Sequence, residues 1–125
     1  MKRAKLPAVS ERVLHVQVAD YLDRALPLDA WWTTFPAGGG GKIRGRSLKR
    51  VGLKAGVPDV LIIYKGRVHW IELKTIKGEL SHKQHDTFVA FSHAGCKIPY
   101  VCRNLDNVEF ALDAWRIPLR ARLKG

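Results

Sequence analysis

Gly56-Val57-Pro58-Asp59-Val60-Leu61-Ile62-Ile63-Tyr64-Lys65-Gly66-Arg67-Val68-His69-Trp70-Ile71-Glu72-Leu73-Lys74 is the stretch from which the fold is read. Two runs rich in β-branched and aromatic residues flank a short turn at Lys65-Gly66, which is a hairpin signal. A two-residue loop there places Tyr64 opposite Arg67, and counting back along both strands sets Asp59 opposite Glu72. Side chains alternate across a strand, so Asp59, Leu61, Ile63, Val68, Trp70, Glu72 and Lys74 share one face, with the charges at its open end. Opposed residues have Cβ atoms roughly 4.5 to 5.5 Å apart, and like charges at that spacing repel. A positive charge between Asp59 and Glu72 is therefore expected.

A hard divalent cation, Mg²⁺ or Mn²⁺, suits that position, because two carboxylates hold it while leaving places for water and a phosphate oxygen. Lys74 points to the same face, where it can orient or deprotonate an attacking water and neutralise charge on a phosphate. A Glu-x-Lys triplet alone also reads as a salt bridge on a solvated strand end. Asp59 in register, with Pro58 before it, favours the site. Val60, Ile62, Tyr64, Ile71 and Leu73 are apolar on the other face too, which asks for helices on both faces of a mixed central sheet in an α/β fold.

With Gly56-Val57-Pro58-Asp59 followed by Ile71-Glu72-Leu73-Lys74, the chain resembles the PD-(D/E)XK nuclease superfamily, and within it a stand-alone VRR-NUC domain of phage or bacterial type. The resemblance spans residues 10–115. Further landmarks that it implies are present: Glu11 in an N-terminal helix, Lys74-Thr75 with Gly78, and a helix-borne glutamine at Gln84. His15 departs from the pattern, which has Gln one turn after Glu11, and Gln17 lies off that face. The resemblance implies a restriction-endonuclease-like α/β/α core and a Mg²⁺- or Mn²⁺-dependent DNA endonuclease. By that analogy Asp59, Glu72 and the Leu73 carbonyl hold the metal, Glu11 completes or extends the shell, Lys74 positions the water and Gln84 assists. It also implies a homodimer acting on duplex or branched DNA, such as Holliday junctions or splayed arms. The alternative is a basic nucleic-acid-binding module that keeps the nuclease fold without the activity.

At 125 residues the chain is long enough for one core and too short for two, so a single domain is expected, with a basic tail over residues 116–125. Lys and Arg number 22 against 11 acids, a net charge of +11, and the assignment of Glu11, Asp59 and Glu72 to a site leaves the outer surface more basic still. That excess points to a polyanion, most often nucleic acid, although ribosome-associated and membrane-surface proteins share it. The longest apolar run ends at Tyr64, too short for a membrane span, and the basic N-terminus lacks the apolar stretch of a secretory signal. A soluble, cytoplasmic protein is expected, in the host cytoplasm if it comes from a phage. Cys96 and Cys102 have no Cys-x-x-Cys spacing and read as small apolar residues flanking a strand, which suits a reducing compartment.

Residues 10–26 predict a helix capped by Ser10, with Glu11, Leu14, Val18, Leu22 and Ala25 at helical spacing before Pro27. Glu11 heads that stripe, either favouring the helix N-terminus through the macrodipole or serving the site. Ala30 to Pro36 predicts a strand with Trp31 and Trp32 on opposite faces, one for the core and one open to base stacking. Gly38 to Gly41 with Lys42 is no phosphate loop, since Pro36 and Ile43 stand where a Walker motif needs Gly and Ser or Thr, and no nucleotide cofactor is expected. The segment that follows carries Lys42, Arg44, Arg46, Lys49, Arg50 and Lys54, with a short helix over Ser47 to Leu53, and leads DNA phosphates toward Gly56.

Ser81-His82-Lys83-Gln84 opens a helix that runs to Gly95. A Ser-x-x-Gln capping box explains Gln84 without any substrate. Gln84 also shares a face with Phe88 and Phe91 that turns toward the sheet, so both readings stand. His82 and His85 lack a cysteine pair and do not read as zinc ligands. Ile98 to Cys102 predicts a strand with Pro99 near its start, paired in parallel with the Glu72 strand through the intervening helix. Asp106-x-x-Glu109 is expected to cap a last helix bearing Val108, Ala111, Leu112 and Trp115, and Arg120, Arg122 and Lys124 to fray beyond it.

Overall fold

In the computed structural model, which describes residues 9–35 and 48–124, the first element is helix α1, Glu11–Ala25. The Ser10 hydroxyl caps it by accepting the Val13 amide at 3.2 Å. Apolar residues three and four apart give it a buried stripe of Leu14, Val18, Tyr21, Leu22 and Ala25. The stripe begins at Leu14, where the helix first meets the core. Glu11, expected at its head, stands one turn earlier with its side chain 67% exposed.

The strands are β1, Trp31–Thr34; β2, Val60–Tyr64; β3, Arg67–Leu73; and β4, Tyr100–Cys102. They form one mixed sheet in the order β1-β2-β3-β4, antiparallel except for the parallel pair β3–β4. Helix α2, His82–His93, makes the crossover between β3 and β4, and helix α3, Leu105–Ala114, follows β4. The chain is therefore an α/β protein with a four-stranded mixed sheet.

Lys65 and Gly66 both have positive φ, 51° and 76°, the requirement of a type I′ turn, whose twist matches that of the flanking strands. Tyr64 pairs with Arg67 and Val60 with Ile71, so the next step outward sets Asp59 against Glu72, as the sequence predicts. Val60, Ile62, Ile71, Leu73 and Cys102 turn toward α1 and α3, where they meet Leu14, Val18, Leu22, Val108 and Leu112 in the main core. The opposite face meets α2: Trp70 stacks on Phe35 at 5.8 Å and takes Phe91 edge-on at 5.5 Å. Trp32 packs against the core while Trp31 is largely exposed.

Two further expectations change. Asn104, not Asp106, caps α3, accepting the Asn107 amide at 2.8 Å; Asn104 still has the extended backbone a cap requires, whereas Asp106 already lies in the first helical turn. The basic C-terminal stretch is docked rather than frayed. Ile117 is buried, Leu119 and Leu123 pack on the core, and Arg122 grips Asp113 at two points, 2.9 and 3.1 Å. Arg120 donates to the carbonyls of Asp23 and Leu26, groups that a helix C-terminus otherwise leaves unpaired.

Residues 48–50 form a helical turn that closes at Gly52, whose φ is 101°. Lys42, Arg44, Arg46 and the glycine run before them lie outside the described residues. Among the described residues no helix is long and apolar enough to cross a membrane.

Gly56 seats the segment before β2 against α2. Its φ is 82°, and a Cβ there would stand 2.5 Å from the Lys83 carbonyl oxygen and 2.7 Å from Thr87 Oγ1. Gly56→Ala is therefore expected to lower stability by about 2 kcal/mol or more, through the strained φ and the clash with helix backbone. A urea titration would read this as a lower midpoint at constant slope; an unchanged midpoint would count against the contact.

Candidate acidic site at the open end of the hairpin

Asp59 is held from three sides. Its backbone carbonyl accepts the Phe35 amide at 3.1 Å, which extends the β1–β2 ladder by one step. Its Oδ2 accepts the Leu73 amide at 2.7 Å, so the carboxylate takes the place of a backbone acceptor at the strand end. Its Oδ1 faces His15 Nε2 of α1 at 3.9 Å. Pro58, fully buried, precedes it.

Glu72 is the buried charged residue of the core, only 1% exposed. Its Oε1 accepts from Gln84 Nε2 at 3.1 Å, while its Oε2 is buried with no hydrogen-bond partner. Removal from water pushes the Glu72 pKa up to about 9, helped by the Asp59 carboxylate beside it and more weakly by Glu11, and opposed by the Lys74 ammonium. The two acids thus face each other, Asp59 in a partly exposed position and Glu72 buried, with burial first and the neighbouring Asp59 second favouring its protonated form.

Gln84 makes the predicted capping box and also turns toward the sheet, where it bonds Glu72. Its Oε1 accepts the Ser81 amide at 2.8 Å and its amide donates to Ser81 Oγ at 3.2 Å, which completes the capping box, and its Nε2 still reaches Glu72. A single side chain therefore ties the start of α2 to the buried carboxyl.

His15 was seen in the sequence only as a departure from a pattern, and the structure gives it a place in the site. Its Nε2 lies 3.9 Å from both Glu11 Oε1 and Asp59 Oδ1 and is buried without a hydrogen-bond partner. Glu11 thus meets the site through His15, at i,i+4 spacing on one helix face, which is the signal that was available. Lys74 follows Glu72 on the same strand face, half-buried, and makes no ion pair within 4 Å among the described residues.

Arg103 is the second residue that sequence reasoning missed. Its guanidinium donates to the carbonyls of Thr75 and Gly78, both at 2.6 Å, and to that of Ile76 at 3.2 Å. It clamps the turn that leads away from Lys74. The signal lay in the parallel register: Leu73 pairs with Cys102, so Arg103 sits beside Lys74.

Lys49, Arg50 and Lys54 are exposed. Among the described residues no three His, Cys, Asp or Glu side chains converge as a metal-ligand group. The donor set that does converge is a carboxyl pair with one orphaned oxygen. No family model, curated protein or solved structure matches the chain.

Glu72 keeps its proton up to about pH 9 when folded and releases it near 4.5 when unfolded. Between these values the folded chain binds the extra proton, so stability falls as pH rises, and the contribution is complete only below the unfolded value. In chelator, the urea midpoint is expected to decline from about pH 5 to pH 9 in wild type. Glu72→Gln, a neutral isostere that still accepts from Gln84, should flatten that decline; equal slopes in both proteins would argue that Glu72 is ionised in the fold.

Proposed function

We propose that the chain is a divalent-metal-dependent DNA endonuclease of the PD-(D/E)XK type, with the VRR-NUC arrangement its sequence resembles. The observation that carries this reading is Glu72: a buried carboxyl with an unpartnered Oε2 opposite Asp59. Ion pairing elsewhere in the fold does not account for it, since Lys74 approaches without pairing and Gln84 satisfies only Oε1. Mg²⁺ and Mn²⁺ suit such a pair, because hard cations of this size take one or two carboxylates and keep water and substrate phosphate for their other positions. A third protein acid is not required for that.

In this reading Asp59, Glu72 and the Leu73 carbonyl would hold the metal, whose chemistry is to polarise a phosphodiester and lower the pKa of bound water. Asp59 is pre-set for the task by the Leu73 amide, which fixes Oδ2 and leaves Oδ1 toward His15. Gln84 orients Glu72 through Nε2 and cannot turn away without breaking its own helix cap. Lys74, free of ion pairs among the described residues, is available to position a water and to meet charge gathering on the phosphate. Arg103 holds the following turn and so limits where Lys74 can move. His15 stands between Glu11 and Asp59, 3.9 Å from each, in the place where the family pattern has Gln. The net charge of +11, with exposed Lys49, Arg50 and Lys54 just before Gly56, supports DNA as the polyanion. A homodimer acting on branched DNA extends the same resemblance.

The test is cleavage of linear, nicked, splayed and four-way DNA with Mg²⁺ or Mn²⁺. Asp59→Asn and Lys74→Ala are each expected to lower the rate roughly 100-fold or more with folding retained, and Gln84→Ala by about tenfold together with a lower thermal midpoint, since it also removes the helix cap. Mg²⁺ should also raise the thermal midpoint of wild type and not of Asp59→Asn, a readout independent of cleavage. Equal cleavage by wild type and both site variants would sink the assignment. Binding without cleavage under every metal would leave the basic binding module.

A further inference from the structure

At the other end of β3 the sheet is open. Strand β4 pairs only with Ile71–Leu73, so the Arg67–Trp70 half of β3 has no strand beyond it among the described residues. A cleft of about 820 Å³ occupies that place, within the size range of ligand clefts, roughly 300–1,000 Å³. One wall is aromatic: His69 stacks on Trp115 at 4.4 Å with ring planes 19° apart, and Tyr100 meets Trp115 edge-on at 6.4 Å. The rim is cationic, with Arg67, Lys97 and Arg116 all exposed.

No Asp or Glu lines the cleft among the described residues. Asp113, one residue before the lining Ala114, is already held by Arg122. Arg67 and Lys97 are near enough to lower the His69 pKa, after burial, which marks the positive potential inside. An apolar peptide would leave three cations without partners. A smooth duplex would present phosphates to the rim but no base face to the aromatic wall. An unpaired nucleotide presents both, a π-face for Trp115 and a phosphate for the rim.

We propose that this cleft binds single-stranded nucleic acid, stacking an unpaired base on the His69–Trp115–Tyr100 wall and drawing the backbone phosphates to Arg67, Lys97 and Arg116. The site lies away from the acidic pair and needs none of its chemistry.

Cys96 lines the cleft and is exposed, whereas Cys102 is buried with its thiol pushed up to about 12, so Cys96 is the reactive thiol. The test follows modification of Cys96 by a thiol reagent in the full chain, at fixed salt and in chelator so that cleavage plays no part. A saturating oligothymidylate of about ten nucleotides is expected to slow the reaction roughly tenfold, and an abasic oligomer of equal length or a blunt duplex by less than about twofold. Arg67→Glu combined with Lys97→Glu, both at exposed positions, should abolish the protection while leaving the thermal midpoint unchanged. Arg116→Gly, which suits the positive φ of 58° at that position, should weaken it severalfold. Equal protection by the abasic oligomer or the duplex, none by oligothymidylate, or protection unmoved by both charge variants would overturn the proposal. Protection of Cys96 in chelator reports on the cleft, and cleavage of a blunt linear duplex reports on the acidic pair, so either reading can fail without the other.

Discussion

Gln84 Nε2 donates to Glu72 Oε1 while Gln84 Oε1 accepts the Ser81 amide, and most of the site geometry depends on this one bifunctional side chain. Helix α2 is otherwise anchored by Phe91 edge-on to Trp70 and by a hydrogen bond from Thr87 to the Ala55 carbonyl. Its buried residue is Phe88, and Gly56 lets the chain before β2 approach its backbone at the Lys83 carbonyl. Removing an ionised carboxylate from water costs several kcal/mol, so Glu72 is tolerated only protonated or beside a positive partner. The helix start, the buried acid and the segment entering β2 are therefore set as a unit, and Asp59 is fixed in the same unit by the Leu73 amide.

Much of this arrangement was legible in the sequence because it follows from counting. A two-residue turn at Lys65-Gly66 fixes the register of the whole hairpin, and the register alone opposes Asp59 to Glu72. Ser81 and Gln84 announced their cap by spacing, and the crossover helix announced the parallel pairing of β3 and β4. What was not legible depends on where helices lie along the sheet. Helical spacing put Glu11 on the stripe of α1 but not how far that helix overhangs the core, so Glu11 emerged exposed and His15 took the position nearest Asp59. Arg103 and Arg120 act on carbonyls, which carry no side-chain signature, and Arg120 does so across the whole length of the chain. The docked C-terminal stretch was misread for the same reason: its basic composition hid Ile117, Leu119 and Leu123, which close the core.

Charge is distributed along β3 with a definite sense. Its C-terminal end carries Glu72 against Asp59, and its N-terminal end carries Arg67 beside Lys97 and Arg116. Arg67 and Glu72 are five residue steps apart, about 17 Å in a strand. A polyanion is attracted by a net charge of +11 and meets repulsion at the acidic pair. Under the proposed reading that repulsion is useful, since a phosphate comes to rest beside two carboxyl groups only when their charge is answered.

The proton on Glu72 is one answer; in the proposed site a divalent cation would be another, and the two exclude each other. A carboxyl that keeps its proton to about pH 9 offers poor lone pairs to a metal, so metal occupancy must expel that proton and is favoured by rising pH. Lys74 shifts the balance in the same direction, because its ammonium already favours the ionised form of Glu72. Gln84 is neutral in this exchange: its Nε2 donates to Oε1 whether or not Oε2 carries the proton, so the helix cap survives either state. Under the proposed reading, the pair would pass between these two charge states while the Gln84 cap stays in place, as a site that binds and releases a cation requires.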